Sequence, residues 1–422
     1  MEDDRSIKSF GILMLIAIAV FVTPLFLWHL ASDDPIESLP APDLTGHLSL
    51  SDALGIDVIQ NGFREEQIDV TDISQLMWSM QGITSPAGLR TAPSAGGTYP
   101  LKVMVLANDV TSLERGSYLY EPATHSLTEV SVNESLALRD CVPPAHREGI
   151  DAASAVFIIL AEYARTTQKY GLRGIQYVHL EIGHVLQNAL LQMASLSLRT
   201  QPVLFFDEAT VQRMLNTTYS PLLVLPVGPS GTTGPATSPL TNLDDMTVEQ
   251  AINNRRSLRN YANSSLGQSE LNHILGNCSL VHLLDGDDSR FDLRLVLRDV
   301  MGLEGGLYDF DLDNGTLSML NDEDLVDVLF EAGLTQPWIR DAQANLVMSA
   351  DHEWAQTQVD SDSRWRAMLY SVGMLGQIVY LECTSLGLGT VSIGGLYENQ
   401  VAEVVETSEG FTSLYIMPIG VL

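Results

Sequence analysis

The sequence predicts a mixed fold of helices and strands that occurs twice in one chain, and three observations carry that prediction. The two halves align: Ala53-Leu54 falls on Ala251-Ile252 at an offset of 198, and the same offset lays Ile73, Leu76 and Met77 on Leu271, Ile274 and Leu275. Further along, GSYLYEPATHSLTEV has its counterpart in GGLYDFDLDNGTLSML at 305–320. IGHVLQNALLQMASLSL at 182–198 falls on VGMLGQIVYLECTSLGL at 372–388, and LLVLPVG at 222–228 on LYIMPIG at 414–420. Between the copies, PSGTTGPATSPLTNL at 229–243 lacks hydrophobic periodicity and reads as a linker.

Taken in order, the chain begins with an apolar segment. From Ser9 to Ser32 no acidic residue, lysine or arginine occurs, and Phe10 to Trp28 is almost wholly apolar, close to the ~20 residues that span a bilayer as a helix. Residues 1–32 therefore read as one transmembrane anchor. A cleaved signal peptide is the alternative, but its apolar region runs only about 7–15 residues and ends in an A-x-A-like site; this stretch ends WHLAS. Arg5 and Lys8 precede the segment and Asp33, Asp34 and Glu37 follow it, which predicts a single-pass protein with its body outside the cytoplasm. Residues 33–47, rich in Pro, Asp and Ser, read as a tether.

The first folded unit, 48–228, opens with helix-period apolar positions over residues 50–82. A Gly/Pro-rich loop follows, then an apolar strand at Val103–Leu106, a hairpin, a buried strand at Ala155–Ala161 and a long, mostly apolar helix from Tyr177 to Leu198. The second unit, 244–422, repeats that order. With 422 residues and 45% hydrophobic content there is ample core for both. Net charge is −31, and three lysines and 19 arginines stand against 53 acids, which excludes a nucleic-acid partner because phosphate neutralisation needs a basic face. Cys141, Cys278 and Cys383 are far apart, without CxxC or metal-ligand spacing.

Two stretches carry chemistry. RTAPSAGGTYP, from Arg90 to Pro100, sets a Gly-Gly pair among small residues, with Pro93 and Pro100 fixing entry and exit and Ser94 and Thr98 adding hydroxyls. Gly96 and Gly97 allow φ > 0 and close backbone approach to a flat ligand, so the loop reads as a cofactor cradle; an ordinary turn is the alternative. NRRSLRNY, from Asn254 to Tyr261, groups three guanidiniums and a hydroxyl, a fork matched to phosphate oxygens; basic residues at a helix C-terminus are the alternative.

With RRSLRNY, PSAGGTYP, the GHxxQN helix, SIGGLY and a closing PVG in place, the chain resembles the nitroreductase-like flavoproteins. RTAPSAGGTYPL, YLYEPATHSL and KYGLRG look most like the SagB-type dehydrogenases among them. The resemblance covers residues 48–422, twice over. It implies an α+β fold, normally a dimer, with flavin mononucleotide (FMN) at the subunit interface and both subunits touching each flavin. Here the two tandem domains would form a pseudo-dimer within one chain. Carried over, Arg255, Ser257 and Arg259 hold the phosphate, Ile393, Gly394 and Gly395 reach the ring edge, and Pro93, Ser94, Ala95, Gly96 and Gly97 cross from the first half.

The repeat then limits the number of sites. Arg255, Ser257 and Arg259 correspond to Asp57, Ile59 and Asn61, which puts a carboxylate where phosphate would bind. Ile393, Gly394 and Gly395 correspond to Val203, Leu204 and Phe205, and GNCSLVHLLDGDDS replaces the cradle in the second half. One complete site and one extinct site are expected. The resemblance also implies a catalytic pair, Lys169 and Tyr170, whose counterparts are Val359 and Asp360; a solvated loop is the alternative. His184 reads as a buried, hydrogen-bonded packing residue. The chain ends GVL, without the basic residue that some nitroreductases place beyond PVG. The expected function is an FMN-dependent oxidoreductase working through flavin N5, acting on a small-molecule or peptide substrate; the alternative is an anchored pseudoenzyme or partner protein.

Overall fold

The computed structural model describes residues 36–60, 62–64, 66–230, 246–284 and 287–422. The anchor expected over residues 1–32 and linker residues 231–243 lie outside them. No helix among the described residues is long and apolar enough to cross a membrane.

The first half contributes β1 (Ile36–Ser38), β2 (Ile68–Asp69), β3 (Leu101–Ala107), β4 (Val110–Thr111), β5 (Gly116–Glu121), β6 (Ser126–Glu129), β7 (Ala155–Ala161), β8 (Leu198–Thr200) and β9 (Ser220–Pro229). The second contributes β10 (Phe291–Leu297), β11 (Gly306–Asp311), β12 (Thr316–Asn321), β13 (Ala344–Asp351), β14 (Leu388–Thr390) and β15 (Phe411–Val421). Among the described residues one large sheet runs β1-β6-β5-β3-β7-β9-β8, a second runs β12-β11-β10-β13-β15-β14, and β2 and β4 pair in a small parallel sheet of their own. Without the edge strand β1 the orders of the two large sheets are the same, and each pairing they share is antiparallel. The central strands β7 and β13 are buried along their whole length, which is why AVFIILA reads as a continuous apolar run rather than an alternating one. The expected hairpin is β5-β6, repeated as β11-β12.

Seven helices matter for the site: α1 (Leu50–Leu54), α2 (Val70–Gln81), α3 (Ala164–Tyr170), α4 (Arg173–Ser195), α5 (Val248–Asn254), α6 (Gln268–Cys278) and α7 (Ser361–Ser385). The helical period read over residues 50–82 belongs to two helices. Gly55 caps α1, and α2 starts only at Asp69, whose carboxylate forms a capping box with Asp72. Ser49 and Thr247, the N-caps of α1 and α5, bridge each other across the molecule and are related by the same offset of 198.

The long helices α4 and α7 cross at the pseudo-two-fold axis. A Cβ on Gly183 would lie 2.0 Å from the Tyr370 carbonyl oxygen, and one on Gly373 would lie 2.1 Å from that of Leu180. Each pair is related by 190 residues, so the second sequence offset is also a spatial symmetry. Glycine at both positions lets the backbones touch, and one core of residues from both halves packs around the crossing. His184 lies in it fully buried, with Nδ1 3.0 Å from Gln377 Oε1, while Gln377 Nε2 donates to Asn188 Oδ1 at 2.7 Å. Burial pushes the His184 pKa down to about 3, so the ring is neutral and structural, as expected.

Candidate functional site

The Arg90–Pro100 loop owes its shape to the neighbouring α3. Gly96 and Gly97 have φ of 60° and 66°. A Cβ on Gly96 would fall 2.3 Å from both Lys169 Nζ and the Tyr170 hydroxyl, whereas one on Gly97 would meet nothing within 4 Å. Lys169 Nζ donates to the Gly96 carbonyl at 3.2 Å, Arg165 Nε to that of Thr98 at 2.8 Å, and the Thr98 and Thr166 hydroxyls meet at 2.9 Å. On the other side of the loop, Ser94 Oγ accepts from the Tyr99 amide at 2.9 Å.

The arginine cluster after α5 divides into two roles. Arg255 is only 4% exposed; its Nε donates to the Thr91 carbonyl at 2.9 Å and its Nη2 to that of Arg90 at 3.0 Å, and the guanidinium lies 5.2 Å from the Tyr380 ring centre. Its Nη1 meets no hydrogen-bond partner among the described residues. Arg256 reaches the Thr84 hydroxyl and carbonyl at 3.2 and 2.8 Å. These two arginines fasten the second half to the segment of the first that carries the cradle. Arg259 is exposed, 5.3 Å from the Trp338 ring centre, and turns into a cavity.

That cavity, of about 320 Å³, lies between the halves. Pro93, Ser94, Ala95, Gly96, Tyr170, Tyr177 and Glu181 line it from the first; Ser257, Arg259, Gln336, Tyr380, Val391, Ser392, Ile393, Gly394, Gly395 and Tyr415 line it from the second. Ten of the thirteen residues singled out from sequence therefore face one space. Gly97, Lys169 and Arg255 stand outside the lining, Lys169 and Arg255 holding the loop that forms one wall. The Tyr380 hydroxyl ties the second-half wall together, at 2.9 Å from Ser257 Oγ and 2.8 Å from the Ser392 amide. Tyr177 Oη donates to the Gly394 carbonyl and Gln336 Nε2 to that of Gly395, both at 3.0 Å, leaving the Gly-Gly segment fixed from both halves.

Sequence reasoning missed Tyr177, Glu181, Gln336, Tyr380 and Tyr415. Glu181 is 3% exposed and its Oε1 has no hydrogen-bond partner among the described residues. Burial pushes its carboxyl up to about 8, although the Ser94 hydroxyl, Arg90 and Arg165 act in the opposite direction.

The symmetry-related position is a more open cleft of about 630 Å³. Asp57, Ile59 and Leu190 line it where Arg255, Ser257 and Tyr380 stand in the other half, joined by Asp287, Asp288 and Asp313. Burial and the neighbouring Asp313 raise the Asp288 pKa, the signature of crowded carboxyls. Phosphate is disfavoured there. Val203 bridges Val224 as Ile393 bridges Ile416, so the Gly-Gly counterpart occupies the equivalent place in the fold, with Val203 fully buried. No metal-binding cluster occurs among the described residues.

The sequence profile of the nitroreductase family matches residues 60–229 and 314–421. This chain belongs to the nitroreductase family. A nitroreductase-like protein of Methanocaldococcus jannaschii is 38% identical over 161 residues, 38% of this chain and 81% of that protein. The microcin B17-processing protein McbC of Escherichia coli is 21% identical over 229 residues, 51% of this chain and 84% of its own length. A crystal structure of a nitroreductase-like protein from Anabaena variabilis superposes with a TM-score of 0.72 at 21% identity, covering 93% of this chain and 92% of that one, and so shares the fold over both halves. Membership of this family makes the chain an oxidoreductase in broad class.

Proposed function

We propose that this nitroreductase-family protein is an FMN-dependent oxidoreductase of SagB type with one composite site per chain. The observation that carries the reading is the single cavity that unites the Pro93–Gly96 cradle with Ser257, Arg259 and the Ile393–Gly395 segment, while its counterpart is lined with acids. The residues present fit the cofactor. Glu181 Oε1 is a buried polar atom of the lining without a partner among the described residues, and a Cβ at Gly96 or Gly394 would collide with Tyr170 or Tyr177 at the cavity wall.

In this reading Ser257 and Arg259 bind the phosphate, with Arg259 supplying the charge-assisted donor pair. The Gly394-Gly395 backbone lies along the ring edge, and Pro93–Gly96 covers it from the other half. Bound FMN supplies hydride exchange at N5. Tyr170, whose side chain reaches the cavity, is the member of the Lys169-Tyr170 pair placed to exchange a proton with substrate, and Lys169 holds the Gly96 carbonyl. An azoline-bearing peptide is the proposed substrate class. It rests on the Lys-Tyr pair, in the context that resembles the SagB-type dehydrogenases, and on the match to McbC, whose name describes the processing of microcin B17. The proposal includes a membrane anchor at residues 10–30 with the body outside the cytoplasm, so that protease added to intact cells removes the body; full protection reverses that topology.

The test is reconstitution of the purified full chain with FMN, followed by gel filtration and absorbance. Flavin absorbance that travels with the wild-type chain and is lost in a Ser257→Ala/Arg259→Ala double variant supports the reading. A chain that stays colourless favours the pseudoenzyme.

A further inference from the structure

Glu181 is the lining residue for which the reading above has no task. It sits on α4, two residues before the glycine at the helix crossing, and faces the cavity with one carboxyl oxygen unpartnered among the described residues. The charged groups nearest it are already engaged. Arg90 donates to Gln81 and stacks on Tyr99, and Arg165 binds the Thr98 carbonyl and lies 4.0 Å from Glu162. The Ser94 hydroxyl from the cradle hydrogen-bonds the carboxyl, and the Tyr415 phenol from β15 lies close enough for a Glu181 charge to raise its pKa. In the extinct half, the position 190 residues on is Ser371, whose Oγ accepts from the Leu284 amide at 3.0 Å. The carboxyl therefore occurs only where the cradle and the Ser257-Arg259 pair also occur, and its counterpart is absorbed by local backbone.

A carboxylate buried without a cation or donor on each oxygen is far costlier than a neutral acid. We propose that Glu181 contacts the bound flavin as a neutral carboxylic acid, donating its O–H from the cavity floor to an acceptor atom of the ring. This rests on the FMN reading above. The consequence is a linkage between protonation and binding. The pKa is raised to about 8, so the donor is present at neutral pH and is lost as pH rises through that value; the ionised form offers no proton and adds negative charge beside an anionic ligand.

The experiment is a series of FMN titrations of the full chain, read by quenching of flavin fluorescence, between about pH 6.5 and pH 9.5. Wild-type affinity is expected to be about tenfold weaker at about pH 9 than at about pH 7. Glu181→Gln keeps a donor but cannot ionise; its affinity should stay within about threefold of the wild-type value at neutral pH and show a flat profile. Ser94→Ala removes a hydroxyl that favours the ionised form, so its midpoint should move to higher pH. A wild-type profile without the fall, or the same fall retained in Glu181→Gln, overturns the proposal. If Glu181→Gln does not fold by circular dichroism, Ser94→Ala decides, and an unmoved midpoint overturns it. No FMN uptake by the wild type at any pH is a separate outcome and refutes the FMN reading itself.

Discussion

Substituting Gly373 with alanine tests whether the two halves really form one packed unit. The added Cβ would stand 2.1 Å from the Leu180 carbonyl oxygen and 2.9 Å from Gly183 Cα, and both obstacles are backbone that no rotamer change can move. Carbon–oxygen contacts settle above about 3 Å, so α7 must retreat from α4 by about 1 Å, an overpacking that costs about 1–3 kcal/mol. The same movement separates the walls of the cavity, because Tyr177 and Glu181 ride on α4 and Tyr380 on α7. FMN affinity should therefore fall about tenfold, a loss of about 1.4 kcal/mol. Thermal melting and flavin titration of the same preparation read both effects. Gly276→Ala is the control, since its Cβ would meet nothing within 4 Å in α6, and it should be neutral or stabilising by up to about 1 kcal/mol. A Gly373→Ala protein that melts and binds like the wild type would show that the helices are not in contact, and the pseudo-dimer would fall with it.

Arg259→Ala should weaken FMN by about one to two decades, the value of a charge-assisted contact of about 1.5–3 kcal/mol, and leave the melting temperature nearly unchanged because the side chain is exposed. Arg255→Ala should weaken FMN and also lower the melting temperature, since it frees the Arg90 and Thr91 carbonyls in a buried place; faster amide exchange over residues 90–100 checks the clamp, and unchanged exchange removes it. Asp57→Ala should leave FMN affinity unaltered, and any gain of a second bound flavin would show that the acid-lined cleft is still competent. Lys169→Ala should retain FMN while loosening the cradle; a faster flavin dissociation rate is the readout, and an unchanged rate shows that the bond to the Gly96 carbonyl does not hold the loop.

Duplication was legible because each half must bury the same sheet, and so repeats the same apolar spacing. The Arg90–Pro100 loop was legible as a shaped turn because two adjacent glycines and flanking prolines leave few alternatives, and Gly96 and Gly97 do take positive φ. Residues 50–82 were harder. The helix period carried across a break, although Gly55 and the Asn61-Gly62 pair signal one. Arg255 reads as a phosphate ligand since a sequence shows donors but not the distant carbonyls, at Arg90 and Thr91, that engage it. Tyr177, Glu181 and Tyr380 were hidden for another reason. They lie in helices buried on nearly every side, where no polar face marks the site. The one available signal was Glu181 itself, an acid inside the apolar run HLEIGHVL, which nothing on its own helix explains.

The account stands on there being one live site per chain, built from both halves. The flavin-to-chain ratio of the reconstituted full-length protein, with FMN released and quantified against total protein, tests this most directly. A ratio of about one is predicted from the single cavity that joins cradle, Ser257-Arg259 and Gly-Gly segment. A ratio near two would contradict the extinction of the acid-lined cleft, and a ratio near zero would contradict flavin binding altogether.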